Sequence, residues 1–349
     1  MNAFRSLLLI AVLALVHPPN SVSIAAPKTR DYKHGTARPV PSKRAKSSHA
    51  PYESKACMVC HNKKKRGRGV GRPKKNMTKI CFTCHSELKR VLGKYKHMHK
   101  PVKAGCISCH NPHNSAYKML LMAPKPRLCT NCHVSIKTSI NLKVKHDAVT
   151  HGASCSNCHD PHGSNIEKLL LALPYDQCIG CHNTNNLKDE KGRLLMNYKT
   201  LLGKSKVKHS PVEGKDCSSC HEVHGSKHFR LLTEPYPERF YAKYSKEEYA
   251  LCFKCHDEDL VKIKTSRTAT KFRDGARNLH YVHVKEPDRG RTCRACHAVH
   301  ASEQKSLVRA AVPYGSSGWK LKLHYIRTKD GGSCERTCHG IKPYSRNKR

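Results

Sequence analysis

Hydrophobic positions along this chain are sparse and clustered rather than periodic. One apolar run, Ser6 to Val16 in "MNAFRSLLLIAVLALVHPPNSVSIAAPKTR", follows the positive Arg5 and precedes Ser23-Ile24-Ala25, a small-x-small cleavage pattern. It is too short to span a bilayer, and it predicts a signal peptide over 1–25 and export into an oxidising compartment. No cysteine follows the run and no later stretch reaches about 18 consecutive apolar residues, so the mature chain is expected to be soluble or peripheral, without a lipid anchor. After a basic arm over 26–48, the apolar residues gather in short clusters. These are Leu120-Leu121, Leu170-Leu171, Leu231-Leu232 and Leu307-Val308, with Pro124, Pro174, Pro235 and Pro313 a few residues on. Helix formers at helical spacing occur over 86–97, 187–204 and 245–256, and the Gly-, Pro-, Asn- and His-rich stretches between them read as loops. The pattern predicts mostly loops with short α-helices, little or no β-sheet, and too few apolar residues for an ordinary core.

Cysteine and histidine, 20 and 26 of the 349 residues, supply what the apolar pattern lacks. Cys-x-x-Cys-His occurs nine times: Cys57/Cys60/His61, Cys81/Cys84/His85, Cys106/Cys109/His110, Cys129/Cys132/His133, Cys155/Cys158/His159, Cys178/Cys181/His182, Cys217/Cys220/His221, Cys252/Cys255/His256 and Cys293/Cys296/His297. A tenth site, Cys334/Cys338/His339, has one extra residue between its cysteines. Together they consume every cysteine. A disulfide scaffold would explain an even count but not a histidine after each second cysteine. Zinc fits some of the intervals between motifs, yet its four ligands would leave the ten adjacent histidines surplus. Covalent haem c uses all thirty residues: two thiols form thioethers to the vinyl groups and the histidine binds the iron axially.

The motifs fall into five doubled units: module 1 at 49–95, module 2 at 96–145, module 3 at 146–207, module 4 at 208–279 and module 5 at 280–349. A histidine precedes each unit's first cysteine: His49, His99, His146, His209 and His283. Another follows it in "NPHNS", "DPHGS", "EVHGS" and "AVHAS": His113, His162, His224 and His300. Neutral imidazole is a good sixth ligand to haem iron, so these nine are candidate distal ligands. The tenth falls to His34 or His97, with Lys64 a further candidate because it stands where module 1 lacks its second histidine. His228, His151, His280 and His324 read as exposed polar residues.

Lys and Arg exceed Asp and Glu by 41 charges. Twenty propionates and ten ferric irons would leave roughly +31 oxidised and +21 reduced, so the protein stays basic. Surface solvation and propionate pairing account for this excess as well as an anionic partner does.

First-site sequences such as "CISCHNPHNS", "CSNCHDPHGS" and "CSSCHEVHGS", repeated in doubled units over about 49 to 340, resemble the multihaem cytochromes c, and among them the periplasmic decahaem cytochromes of outer-membrane porin-cytochrome conduits. The resemblance implies a closely packed chain of ten covalent haems c with bis-histidine ligation. It further implies electron transfer in the periplasm or across the outer membrane, as in extracellular electron transfer or anaerobic respiration. Redox-protein donors and acceptors, an outer-membrane porin and a surface cytochrome are the implied partners; nucleic acid is not. Bis-histidine iron has no open position, so no catalytic residue is expected. Two alternatives stand beside this: a multihaem oxidoreductase acting on a nitrogen or sulfur oxyanion, which needs a five-coordinate haem, and a subunit of an extracellular cytochrome filament.

Overall fold

The computed structural model describes residues 37–313, 319–335 and 338–349. The expected signal peptide, residues 26–36 of the basic arm and His34 lie outside the described residues. The fold is mostly irregular chain with short helices and small antiparallel strand pairs, as the sparse hydrophobic pattern implies. No helix among the described residues is long and apolar enough to cross a membrane.

Two local structures recur. In modules 1 to 4 the second sites sit in or at the ends of helices such as Met77–Cys84 and Pro174–Cys181, the latter with proline in its first turn, where a missing N–H costs nothing. First sites sit in tight turns such as Cys57–Val59 and Cys106–Ser108, and in modules 2 to 5 the chain then reverses through two left-handed residues. These are Met119-Leu120, Lys168-Leu169, Arg230-Leu231 and Ser306-Leu307, all with φ between 54° and 59°. Non-glycine residues adopt this region at a cost of order 1 kcal/mol each, so a fourfold recurrence points to a function for the turn. The hydroxyls of Ser115, Ser164, Ser226 and Ser302 brace it by donating to the carbonyls of Leu121, Leu170, Leu232 and Val308.

Two-residue strand pairs join the residues just before the upstream histidines His49, His99, His146 and His209 to the stretch after the next module's first motif. Ser47–Ser48 pairs with Asn114–Ser115, His97–Met98 with Gly163–Ser164, Val144–Lys145 with Gly225–Ser226, and Val207–Lys208 with Ala301–Ser302. Backbones approach closely here: a Cβ on Gly225 would come within 2.2 Å of the Ser139 carbonyl oxygen. Module 1 replaces the leucine turn with a hairpin, His61–Lys63 against Val70–Pro73.

The expected helices are shorter than the pattern suggests. That over 86–97 ends at Leu92. Of 187–204 only Tyr198–Lys204 is helical, because the Asp189 carboxylate binds the backbone N–H groups of Lys191 and Arg193 and folds 188–194 into a turn. The 245–256 stretch divides into Glu247–Tyr249 and Ala250–Phe253. A three-stranded sheet near the C-terminus, His324–Arg327, Gly331–Glu335 and Lys342–Ser345, was not anticipated. The largest apolar cluster, Leu232, Tyr236, Tyr249, Val261 and Val284, joins modules 4 and 5.

Candidate haem centres

The left-handed turns place a carbonyl against each first-site motif histidine. Nδ1 of His110, His159, His221 and His297 lies 2.8 to 3.0 Å from the carbonyl oxygens of Met119, Lys168, Arg230 and Ser306. In module 1 the hairpin does the same, with Gly71 O at 2.9 Å from His61. An Nδ1–H donated to a carbonyl fixes the tautomer and leaves Nε2 as the coordinating atom.

Every motif histidine then faces a second imidazole. The pairs are His61 with His113 (ring centroids 5.9 Å apart), His85 with His49 (6.1 Å), His110 with His162 (6.2 Å), His133 with His99 (6.0 Å) and His159 with His224 (6.3 Å). They continue with His182 and His146 (6.3 Å), His221 and His300 (6.1 Å), His256 and His209 (6.0 Å), His297 and His280 (6.3 Å), and His339 and His283 (6.4 Å). Two imidazoles holding one metal ion from opposite sides, each at about 2 Å, have centroids roughly 6 Å apart. The donor set therefore fits a six-coordinate haem iron at each motif.

The pairing follows a rule. A histidine upstream of a module faces that module's second motif, whereas a histidine downstream of a first motif faces the first motif of the preceding module. The two kinds meet at the strand pairs: the backbone N–H groups of His49, His99 and His209 donate to the carbonyls of His113, His162 and His300 at 2.9 to 3.0 Å. Nδ1 of His49, His99 and His146 reaches the carbonyls of Pro112, Pro161 and Val223. No motif precedes Cys57 in the sequence, so a second histidine in module 1 would have no first motif to face. Lys64 occupies that position, exposed on the hairpin, while the ring opposed to His61 is His113.

At the other end of the repeat, no further module supplies a ring to His297. His280 does so, which corrects its reading as an exposed polar residue. The tenth position assigned from sequence to His34 or His97 is taken, among the described residues, by His280; His97 lies in a strand paired with Ser164. His280 and His283 share the helix Leu279–Val284, capped by the fully buried Asn278. Asn278 accepts from the backbone N–H of His280 and Tyr281 and donates to the carbonyls of Leu260 and Ile263. Thr270 Oγ1 stands 2.9 Å from His280 Nδ1, taking the part that carbonyls play elsewhere. His151 and His324 are exposed and His228 is half-buried.

Where burial of the opposed rings is deep it favours neutral imidazole, the form that binds iron. It pushes His280 down to about 4 and His300 down to about 3, and lowers His110, His182, His221 and His297 as well. None of the twenty cysteines is in a disulfide, and no group of three or more Cys, His, Asp or Glu converges as a bare metal-ion site among the described residues. A continuous cavity of about 3810 Å³ runs beside the motifs of modules 2 to 4 and the first motif of module 5. Thiols of successive motifs lie side by side: Cys81 with Cys106, Cys129 with Cys155, Cys178 with Cys217, and Cys252 with Cys293.

The cavity is lined by every motif cysteine of modules 2 to 4 and by Cys293. The motifs at Cys60 and Cys338 have surroundings of their own. Cys60 is half-buried where the module 1 hairpin replaces the leucine turn, and its carbonyl accepts from the Lys74 N–H at 2.9 Å, which ties the motif to the hairpin. Cys338 is exposed in the connection between the strands Gly331–Glu335 and Lys342–Ser345, where the extra residue of the tenth motif lies. Their thiols still adjoin the neighbouring centre. Cys60 helps to raise the Cys81 thiol, and burial aided by Cys334 and Cys338 pushes Cys296 up to about 11.

The model of the doubled CXXCH motif family matches residues 49–90, 99–138, 146–187 and 209–260, together about half of the chain. The chain belongs to the doubled CXXCH family. A doubled-CXXCH protein of this kind is a multihaem c-type cytochrome, with haem c bound covalently through its motif cysteines. The matches cover one doubled motif in each of modules 1 to 4. Module 5, with its longer tenth motif and its own supply of distal histidines, lies outside them. No curated protein matches the chain.

Proposed function

We propose that this doubled-CXXCH protein carries ten haems c and conducts electrons along them in chain order, without substrate chemistry. The observation that carries the reading is the opposition of a second histidine to every motif histidine, at 5.9 to 6.4 Å between centroids. Haem would supply reversible one-electron iron chemistry, and each motif histidine with the histidine opposed to it would hold the iron. Carbonyl-anchored Nδ1–H groups orient the first-site motif rings, and burial favours the neutral form of the opposing His113, His209, His224, His280, His283 and His300. Two histidines per iron favour potentials below those of a Met/His site. Chain order is supported by the side-by-side thiols of Cys81 and Cys106, and of the corresponding pairs onward. The ends of the series are then the Cys57 and Cys334 motifs.

Electrons would pass between a redox-protein donor and acceptor. We place the protein in the periplasm or at the outer membrane, with a porin and a surface cytochrome as partners. The apolar leader and the resemblance to decahaem conduit cytochromes support that placement. Intact mass should show ten haems, and optical redox titration should show low-spin haem throughout, reduced at mostly negative potentials. A methionine-to-iron charge-transfer band, or high-spin haem in the native protein, would defeat the reading. Co-purification from membranes with mass spectrometry tests the partners: recovery of the cytochrome without any porin or surface cytochrome would remove the conduit assignment.

A further inference from the structure

Where modules 2 to 5 carry the leucine turn, module 1 carries "NKKKRGRGVGRP", the hairpin built on His61–Lys63 and Val70–Pro73. Lys63, Lys64, Lys65, Arg66, Arg68 and Arg72 are exposed, and none forms an ion pair among the described residues. No Asp or Glu occurs between Glu53 and Glu87. Some cations elsewhere are paired: Lys191 and Arg193 bind Glu238 at 2.6 and 2.8 Å. Beside the hairpin, Met58, Val59 and Val70 are 39%, 43% and 45% exposed, and they line a cleft with Cys57, Lys64 and Arg68. The face thus has a small apolar centre at a motif cysteine and a rim of unneutralised cations.

We infer that this face docks an acidic one-electron redox protein at the Cys57 centre. The inference rests on the reading of the Cys57 motif as one end of the haem series. Transient redox partners meet over small interfaces, and complementary charge speeds their encounter by about ten- to a thousandfold at low salt. A cationic rim around a small apolar patch suits such an encounter, and its position at the motif brings the partner's redox group to the terminal centre. A membrane surface or a nucleic acid would be drawn by the same charge, but neither needs an apolar centre located at a haem-attachment cysteine.

The test uses the full haem-loaded protein and flavodoxin hydroquinone, an acidic one-electron donor, in stopped flow. Three proteins are compared: wild type, Lys64→Glu/Arg66→Glu/Arg68→Glu, and a control, Lys199→Glu/Lys204→Glu/Lys206→Glu, which reverses three exposed lysines on module 3. At low ionic strength the hairpin variant should be reduced about tenfold more slowly than the control. The difference should vanish near 0.5 M salt, where the screening length falls to roughly 4 Å. Equal rates in the two variants would overturn the docking site. So would loss of phosphatidylglycerol-vesicle binding confined to the hairpin variant with unchanged flavodoxin rates, which would assign the face to a membrane. The extent of reduction is a separate readout: if flavodoxin reduces only a fraction of the haem in all three proteins, the conduction reading fails, while the ratio of initial rates still judges the docking face.

Discussion

Replacing His280 with alanine removes one ring of one opposed pair and leaves nine pairs untouched. On the proposed ten-haem reading the Cys293, Cys296 and His297 centre would then lose its sixth ligand, and about one tenth of the haem should become high-spin and bind carbon monoxide when reduced. Thr270 Oγ1, 2.9 Å from His280 Nδ1, loses its partner in a part-buried setting, which costs roughly 1–3 kcal/mol of stability. The assay is carbon monoxide titration of the dithionite-reduced protein with EPR of the oxidised form: one site per ten haems in His280→Ala, none in wild type. His280→Met should stay low-spin while raising the potential of that same tenth, a change that mere loosening of the helix would not give. If His34→Ala or His97→Ala opens a carbon monoxide site and His280→Ala does not, the assignment of His280 is wrong, and so is the rule by which the last module completes its own first centre.

Asn278→Ala should cost about 1–3 kcal/mol, because it uncaps a six-residue helix and leaves two buried carbonyls unpaired. Since that helix carries His280 and His283, carbon monoxide should reach up to two haems in ten. Gly225→Ala forces a Cβ against the Ser139 carbonyl, costing roughly 1–3 kcal/mol; it should perturb the centres of His159 and His182 together, read by EPR, whereas damage to one alone would refute the shared junction. Burial alone would push the Asp189 carboxyl up, but the N–H groups of Lys191 and Arg193 and the Arg193 guanidinium hold it below its ordinary value. A depressed carboxyl stabilises above its unfolded pKa, about 4, and that contribution is lost as pH falls through the folded value. Asp189→Asn should therefore destabilise by about 1–3 kcal/mol at pH 7 in denaturant melts, with the gap to wild type closing below about pH 4; a gap that persists in acid would show a packing effect instead.

The motif cysteines and histidines were legible from sequence because haem attachment is local: five or six consecutive residues carry the whole signal. Their surroundings were less so, since Cys60 and Cys338 carry the same motif chemistry as the rest but lie beside a hairpin and a sheet that no other module has. The upstream and downstream histidines were legible because they recur at fixed places in the modules. The partner of each was not, since the downstream residue serves the module before its own, and only the strand pairs reveal that register. His280 was missed for the same reason. It has no counterpart in other modules, and its neighbours "NLHYVH" read as an ordinary stretch until Asn278 is seen capping a helix. One clue lay in the count: four downstream histidines among five modules leave one first motif without a ring. The C-terminal strands went unread, although alternation over Lys320 to Arg327 signals them. The helix expected over 187–204 lost its first half to the Asp189 turn, a local competition that helical spacing cannot register.

The one-module offset between a first motif and its opposing ring also governs how such a chain can change length and how it matures. A whole module duplicated in the interior brings the ring its predecessor needs and borrows one from its successor, so the number of centres can grow while both ends stay as they are. A cut between modules 1 and 2 strands His61 without His113, so a module is a unit of inheritance but not a unit that is complete alone. On the proposed export, the centre at His61 would wait for some fifty further residues before its opposing ring arrives, and each first centre in turn would wait for the next module. Only the last, with His280 placed ahead of its own motif, has both rings in hand as soon as it emerges.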